Sequence, residues 1–342
     1  MENNQVIGST QFTQNSIIDI LIEKDANFRQ SVENSAIKEI TTTFNKGAQG
    51  FISYVHIVKI ELQNGQIFEY ALKFPSIEYL ISKGENSQDN IQKIAKKNKT
   101  VCLVHNLECQ FYTLFSGNSC PIPIPKVFFI KPAESSFKEG LIVMENLAKE
   151  GMVCKKYEFL EEEKIWVIIE NIAKFQAFLL HNQEKIQWKG KFLECDYPNV
   201  NLRKRVEKLK TVFPEGMASN ELIGFIDWSL TFEGNPLFDL ARILVLSTEY
   251  GIRRKIESSL IEFYSEKLET SLGEYGAQLN FDRLQLQKAY NFSMVHQAMC
   301  SAGYLSSTKF KDEQEKIEIQ HVAKNIEEAL IDAVNLLKNG YF

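Results

Sequence analysis

Residues 221 to 242 read ELIGFIDWSLTFEGNPLFDLAR and set two carboxylates in an otherwise apolar stretch. An apolar run ends at Asp227, a Gly-Asn-Pro turn follows at Gly234 to Pro236, and Asp239 opens an apolar helix. A carboxylate at a strand end needs a metal, solvent or a hydrogen-bond donor, because burying it without one is costly. Asp227 as a magnesium ligand would be one half of a phosphoryl-transfer site, the other half being a group that orients the nucleophile. Asp239 reads as an N-terminal cap, or as an anchor for the neighbouring loop, and not as a catalyst.

Two more groups suit the same chemistry. Lys73 lies in ALKFP, where alternation puts it on the side of Ala71 and opposite Leu72 and Phe74. It either faces a cleft or serves as an edge-strand lysine that blunts aggregation. Upstream, Gly47 and Gly50 in GAQGF form a turn whose backbone can approach phosphates, or a plain hairpin turn. Glu108, in HNLECQFY, either reaches across to hold the Lys73 ammonium toward a nucleotide or lies on a polar helix face. Its apolar neighbours Leu107 and Phe111 put it at the edge of a buried face, where a partner is needed. The five histidines read as structural or surface residues.

These groups need elements to position them. Apolar spacing from Ile17 to Ile37 predicts one or two short helices, and ISYVHIVKIEL, QNGQ and IFEYALKF predict a hairpin. The polar run 84 to 99 predicts a mobile connection or an exposed helix, and Leu103, Leu107, Phe111 and Leu114 predict a helix with one packed face. KVFFI and GLIVMENL predict two buried strands, residues 161 to 181 a long amphipathic helix, and the chain after Asp227 is helical apart from a loop at 228 to 236. The order is a small strand-rich lobe with one inserted helix (1–147), then a mostly helical lobe (148–342). A cleft between lobes is a favoured ligand site.

Composition narrows the classes. The chain has 342 residues, 44% of them hydrophobic, and a net charge of −5, which argues against nucleic-acid binding as its main role. No apolar run reaches the roughly 18 residues of a membrane span, and no signal peptide is evident. Six scattered cysteines without CxxC spacing predict reduced thiols in a cytoplasmic protein.

The phrases KGAQGFISYV, ALKFP, HNLECQFY, GLIVMENL and IDW…GNPLFDLAR occur in one order. That order resembles the choline-kinase-like (CHK kinase-like) proteins of nematodes, which belong with the aminoglycoside phosphotransferases and the wider protein-kinase-like fold. The resemblance implies an α+β, bilobal kinase-like fold and binding of ATP and magnesium. It makes Lys73 the strand lysine that grips phosphates, Glu108 its helix partner, and Gly47 and Gly50 part of a nucleotide-covering loop. It sets the backbone of Glu145 to Leu147 against adenine, and gives Asp227 the magnesium and Asp239 a structural role. The acceptor it implies is a small hydroxylated molecule.

One phrase of the family is missing. A loop of the form HGDLWxxN should precede IDW and supply an Asp for the acceptor hydroxyl and an Asn for metal. Residues 202 to 220 contain neither Asp nor His, and Asn220 lies too close to the Asp227 strand to act as the loop asparagine. The chain is expected to pass from about 191–194 almost directly to the IDW strand, leaving an apolar edge exposed or otherwise covered. The expectation is a degenerate kinase, or pseudokinase, that keeps ATP and magnesium binding. The alternatives are an active kinase using Asp196 or Glu215 as the substitute carboxylate, and a non-catalytic interaction protein.

Overall fold

The computed structural model describes residues 5–44, 53–77, 88–117, 120–134, 136–153, 158–192, 210–214, 221–307 and 313–340. The chain opens with α1 (Gln14–Lys24) and α2 (Ala26–Asn34), separated by Asp25. Thr13 and Ser16 cap α1 reciprocally, and Asp25 caps α2 by accepting from the Asn27 N–H. Asp25 also accepts from the Tyr70 hydroxyl at 2.8 Å, which ties both helices to the sheet beneath.

That sheet has five antiparallel strands in the order β1-β2-β3-β5-β4. They are β1 (Ile37–Phe44), β2 (Ser53–Leu62), β3 (Ile67–Pro75), β4 (Val127–Lys131) and β5 (Leu141–Glu145), with α3 (Gln88–Phe115) inserted between β3 and β4. One face, through Tyr70, Leu72, Phe74, Leu141 and Val143, packs on α1 and α2. The other, through Ala71, Ile142 and Met144, packs on α3. Lys73 shares this second face with Ala71, as the alternation requires.

A second sheet of three short strands joins β6 (Gly151–Val153), β7 (Lys210–Pro214) and β8 (Gly224–Ile226). The remaining elements are α4 (Glu162–His181), α5 (Gln183–Ile186), α6 (Phe238–Leu246), α7 (Tyr250–Glu257), α8 (Leu260–Glu274), α9 (Arg283–Ser307) and α10 (Glu313–Asn339). Their core runs from Ile168 and Ile172 on α4 through Leu240 and Leu244 on α6 to Tyr264 on α8 and Met294 on α9. The architecture is therefore α+β, with a strand-rich part that carries one inserted helix and a larger helical part.

One expectation is corrected, and two that left alternatives open are decided. Ile37 does not continue a helix: α2 ends at Asn34, Ser35 is extended, and Ile37 begins β1, whose Ile-Thr-Thr-Thr run favours a strand. Of the two readings of the polar run, the helix holds from residue 88, where α3 begins. The apolar edge of β8 is covered and not exposed, because β7 pairs along it (Thr211 opposite Phe225).

Pairing of β6 with β7 depends on Gly151, where a Cβ would sit 2.0 Å from the Phe213 carbonyl oxygen. Gly151→Ala should lower stability by about 1 to 3 kcal/mol through forced separation of the strands. Urea denaturation checks this, and an unchanged midpoint would mean that the two backbones do not approach so closely.

Candidate functional site

Three charged side chains from distant parts of the chain meet at the inner face of the large sheet. The Lys73 ammonium on β3 lies 2.8 and 2.6 Å from the two Glu108 oxygens on α3 and 2.7 Å from Asp227 Oδ1, just past β8. Lys73 is 6% exposed and Glu108 1%. Burial by itself would push the ammonium's pKa down. The carboxylates of Asp227 and Glu108 more than reverse this, and hold it above the ordinary lysine value. Lysine thus stays charged inside the protein because two counter-charges accompany it.

Local backbone aims Asp227 at the lysine. It takes the left-handed conformation (φ 68°, ψ 62°), unusual for a non-glycine residue. The Ser229 hydroxyl donates to its Oδ1 at 2.8 Å. A 3₁₀ turn over Trp228–Leu230 follows, and the Trp228 ring stacks on Phe111 with centroids 3.9 Å apart and planes 9° apart. Phe111 lies one turn beyond Glu108 on α3, so this stack fixes the Asp227 turn against the helix that carries Glu108.

The other flank of α3 is held just as firmly. Asn106 donates to the Ala133 carbonyl at 2.9 Å and accepts from the Ala133 N–H at 2.8 Å. His105 Nε2 lies 3.1 Å from the Lys131 carbonyl. Burial pushes the His105 pKa down to about 4, so the ring is neutral at pH 7 and serves as a structural donor. Beside it, burial pushes the Cys109 thiol up to about 12, which makes it a poor nucleophile. Cys102, Cys120 and Cys300 are also free thiols.

The remaining predicted residues have different surroundings. Glu145 ends β5, where its side chain accepts from the Lys126 N–H at 2.6 Å and its own N–H donates to the Lys126 carbonyl at 2.9 Å. Leu147 is buried, and a Cβ on Gly224 would come within 2.8 Å of it. Gly47 and Gly50, and the substitute carboxylates Asp196 and Glu215, lie outside the described residues. Asp239 is not a cap: Leu237 occupies that position without a side-chain bond, and Asp239 sits in the first turn of α6.

Asp239 instead joins Asp227 in the wall of a cavity of about 360 Å³. Phe111, Phe175, Trp188, Phe192 and Trp228 make much of its lining. The protein around Asp239 pushes its carboxyl above the ordinary range and nearby Arg242 pulls it back, but the side chain is open to the cavity, so water there weakens the push. Sequence reasoning did not anticipate this cavity, Trp228 or Arg242. The abundance of aromatic residues in the segments 175–192 and 225–238 was the available signal.

Among the described residues no cluster of three His, Cys, Asp or Glu side chains could hold a metal by itself. Asp227 is suited to magnesium in the way nucleotide enzymes hold it, by one or two carboxylates plus phosphate oxygens.

Residues 214–277 match a family model described as the ecdysteroid kinase-like family. Residues 33–209, just over half of the chain, match the family described as "Uncharacterized oxidoreductase dhs-27", and the chain belongs to that family. The protein of that name from Caenorhabditis elegans is 21% identical over 318 residues, which cover 74% of this chain. The chain spans 38% of that relative's length. Solved structures with some likeness include a putative aminoglycoside phosphotransferase from Ralstonia eutropha (11% identity, TM-score 0.46, covering 91% of this chain and 97% of that one). Another is an ethanolamine kinase from Plasmodium vivax (9%, TM-score 0.44, covering 99% and 92%). Likeness at this level establishes no shared activity.

Lys73→Met should cost about 3 to 5 kcal/mol by leaving Glu108 buried without its counter-charge. Because the folded pKa of Lys73 is raised, its contribution is complete below the unfolded lysine value near 10.4 and is lost as pH rises through the folded one. The gap in urea midpoint between wild type and Lys73→Met should therefore persist from pH 8 to 10 and narrow only above that. A gap that had closed by pH 9 would contradict a lysine held by two carboxylates.

Proposed function

We propose that this chain is a kinase-like protein that binds an ATP-type nucleotide with magnesium and transfers phosphate poorly or not at all. The observation that carries this reading is the buried Lys73 held between Glu108 and Asp227. A nucleotide's phosphates would take the Lys73 ammonium, with Glu108 keeping it in place, while Asp227 turns to a phosphate-bound magnesium ion. The backbone of Glu145 to Leu147 would meet the adenine, and Gly47 and Gly50 would belong to the covering loop. The strand-rich part (1–147) would hold the nucleotide and the helical part (148–342) the acceptor, a small hydroxylated molecule.

Weak transfer follows from the sequence before Asp227. Residues 202 to 220 offer no Asp to take the acceptor proton and no His. Loss of a general base costs about 10² to 10⁴ in rate. The junction between the two matching family models, at residues 209 and 214, falls in this same stretch. An active kinase would need Asp196 or Glu215 as the replacement. A purely non-catalytic interaction protein is the less supported reading, because it has no use for the Lys73–Glu108 pair. The oxidoreductase in the relative's name is not carried over to a chain that spans 38% of it. No helix among the described residues is long and apolar enough to cross a membrane, and the free thiols support a cytoplasmic setting.

Thermal denaturation with ATP and magnesium tests the reading. At a hundredfold excess over the dissociation constant, binding should stabilise the fold by about 2.7 kcal/mol. Lys73→Met and Asp227→Asn should each abolish the shift. Phosphate release should stay below about 1 s⁻¹, the low end of kinase turnover. An unshifted wild-type melting curve at millimolar nucleotide would remove nucleotide binding, and turnover in the ordinary kinase range would remove the inactivity.

A further inference from the structure

A second cavity, of about 280 Å³, lies among α7, α9 and α10 and shares no lining residue with the cavity beside Asp227. Small-molecule pockets are mostly lined by apolar side chains. In this wall, among the described residues, only Met294 and Leu336 are wholly apolar. The rest are the carboxylates Glu257 and Asp332, the hydroxyl-bearing Tyr290, and four carboxamides: Gln287 and Asn291 on α9, Asn335 and Asn339 on α10.

These groups are held in place from within the protein. Arg253, which is fully buried and so lies behind the wall, donates to both Glu257 oxygens at 3.0 and 2.9 Å and also to Asp332. Arg254 donates to both Asp332 oxygens at 2.9 Å. The Tyr290 hydroxyl donates to Glu257 at 2.6 Å, and Gln287 to Asn291 at 2.8 Å. Asn291 lines the cavity although it is only 5% exposed, so its carboxamide is part of a built wall and not of an open surface.

The donors and acceptors restrict the ligand. An anion would meet two carboxylates and no basic side chain among the described lining residues. Each carboxylate is already held by a guanidinium, which weakens its pull on a cation. Glu257 and Asp332 each accept three internal hydrogen bonds, out of about four that a carboxylate can take, so each keeps room for one more donor. Carboxamides both donate and accept, as hydroxyls do. A ring carrying several hydroxyls satisfies such a wall, and the volume, just below the usual range of about 300 to 1,000 Å³, suits a single ring.

We propose that this cavity binds a neutral cyclic polyol of the sugar or cyclitol class, recognised by Glu257, Asp332 and the carboxamides of α9 and α10. The site is independent of the nucleotide reading.

Ligand-observed NMR titration of the full chain with D-glucose, D-galactose, D-mannose and myo-inositol tests this. At least one of the four should bind saturably, and at least about tenfold more tightly than cyclohexanol, which keeps a ring and one hydroxyl. Glucosamine and glucuronate should bind no more tightly than glucose. In Gln287→Leu and Asn335→Leu the affinity for the bound polyol should fall about tenfold, because its hydroxyls lose their partners. Leucine suits a helix, and an unchanged urea midpoint shows that the fold is kept. Asn335 is exposed, so Asn335→Leu keeps the test open should Gln287→Leu unfold. The proposal is overturned if none of the four polyols binds saturably, if cyclohexanol binds as well, or if glucosamine or glucuronate binds more tightly than glucose. Affinity retained in both variants also overturns it, since the polyol would then sit elsewhere, as in the cavity beside Asp227. The ATP-induced thermal shift should be the same in both variants as in the wild type, so either reading can fail while the other stands.

Discussion

A charged lysine inside the protein is the constraint on which the rest of the structure depends. Lys73 reaches its counter-charges over 35 residues to Glu108 and 154 residues to Asp227. Taking three charged groups out of water is costly, and the attraction among them offsets this only when distances are short and the groups stay in place. The surrounding elements supply that fixity. Strand β3 is paired on both sides, by β2 and β5, and α3 is clamped through Asn106 to the backbone at Ala133.

Asp227 is held by a different device. Its left-handed backbone is a conformation that a side-chain-bearing residue adopts at some cost, and the Ser229 hydroxyl and the Phe111–Trp228 stack maintain it. That stack joins the strand-rich part to the start of the helical part directly beside the charges. The same ring pair forms part of the wall of the aromatic cavity, so the charged site and the apolar space share one boundary.

In the region before Asp227 a short strand covers an apolar edge. An unpaired apolar β8 would be an aggregation hazard. Strand β7 removes it by pairing with β8 on one side and β6 on the other, with Gly151 allowing the close approach. The sequence between 202 and 220 that holds β7 contains no Asp and no His.

The sequence by itself determined the elements whose signal is local. Alternation marked the β2–β3 hairpin and the facing of Lys73, and the 3.6-residue spacing marked α4 and the second half of α3. It left β1 unread because no residue of that strand is fully buried, so no apolar alternation shows. It missed β7 because five residues carry too little pattern. Motif order named Lys73 and Glu108 as partners and Asp227 as a magnesium ligand, but only the tertiary structure brought both carboxylates within 3 Å of the lysine, because a contact across 154 residues depends on how the whole chain closes. Of the two readings of Asp239, cap or loop anchor, the fold excluded the cap, and it set the residue in a cavity wall with Arg242. Periodicity tells which face of a helix is polar. What that face meets is decided by the packing of elements far away in the chain.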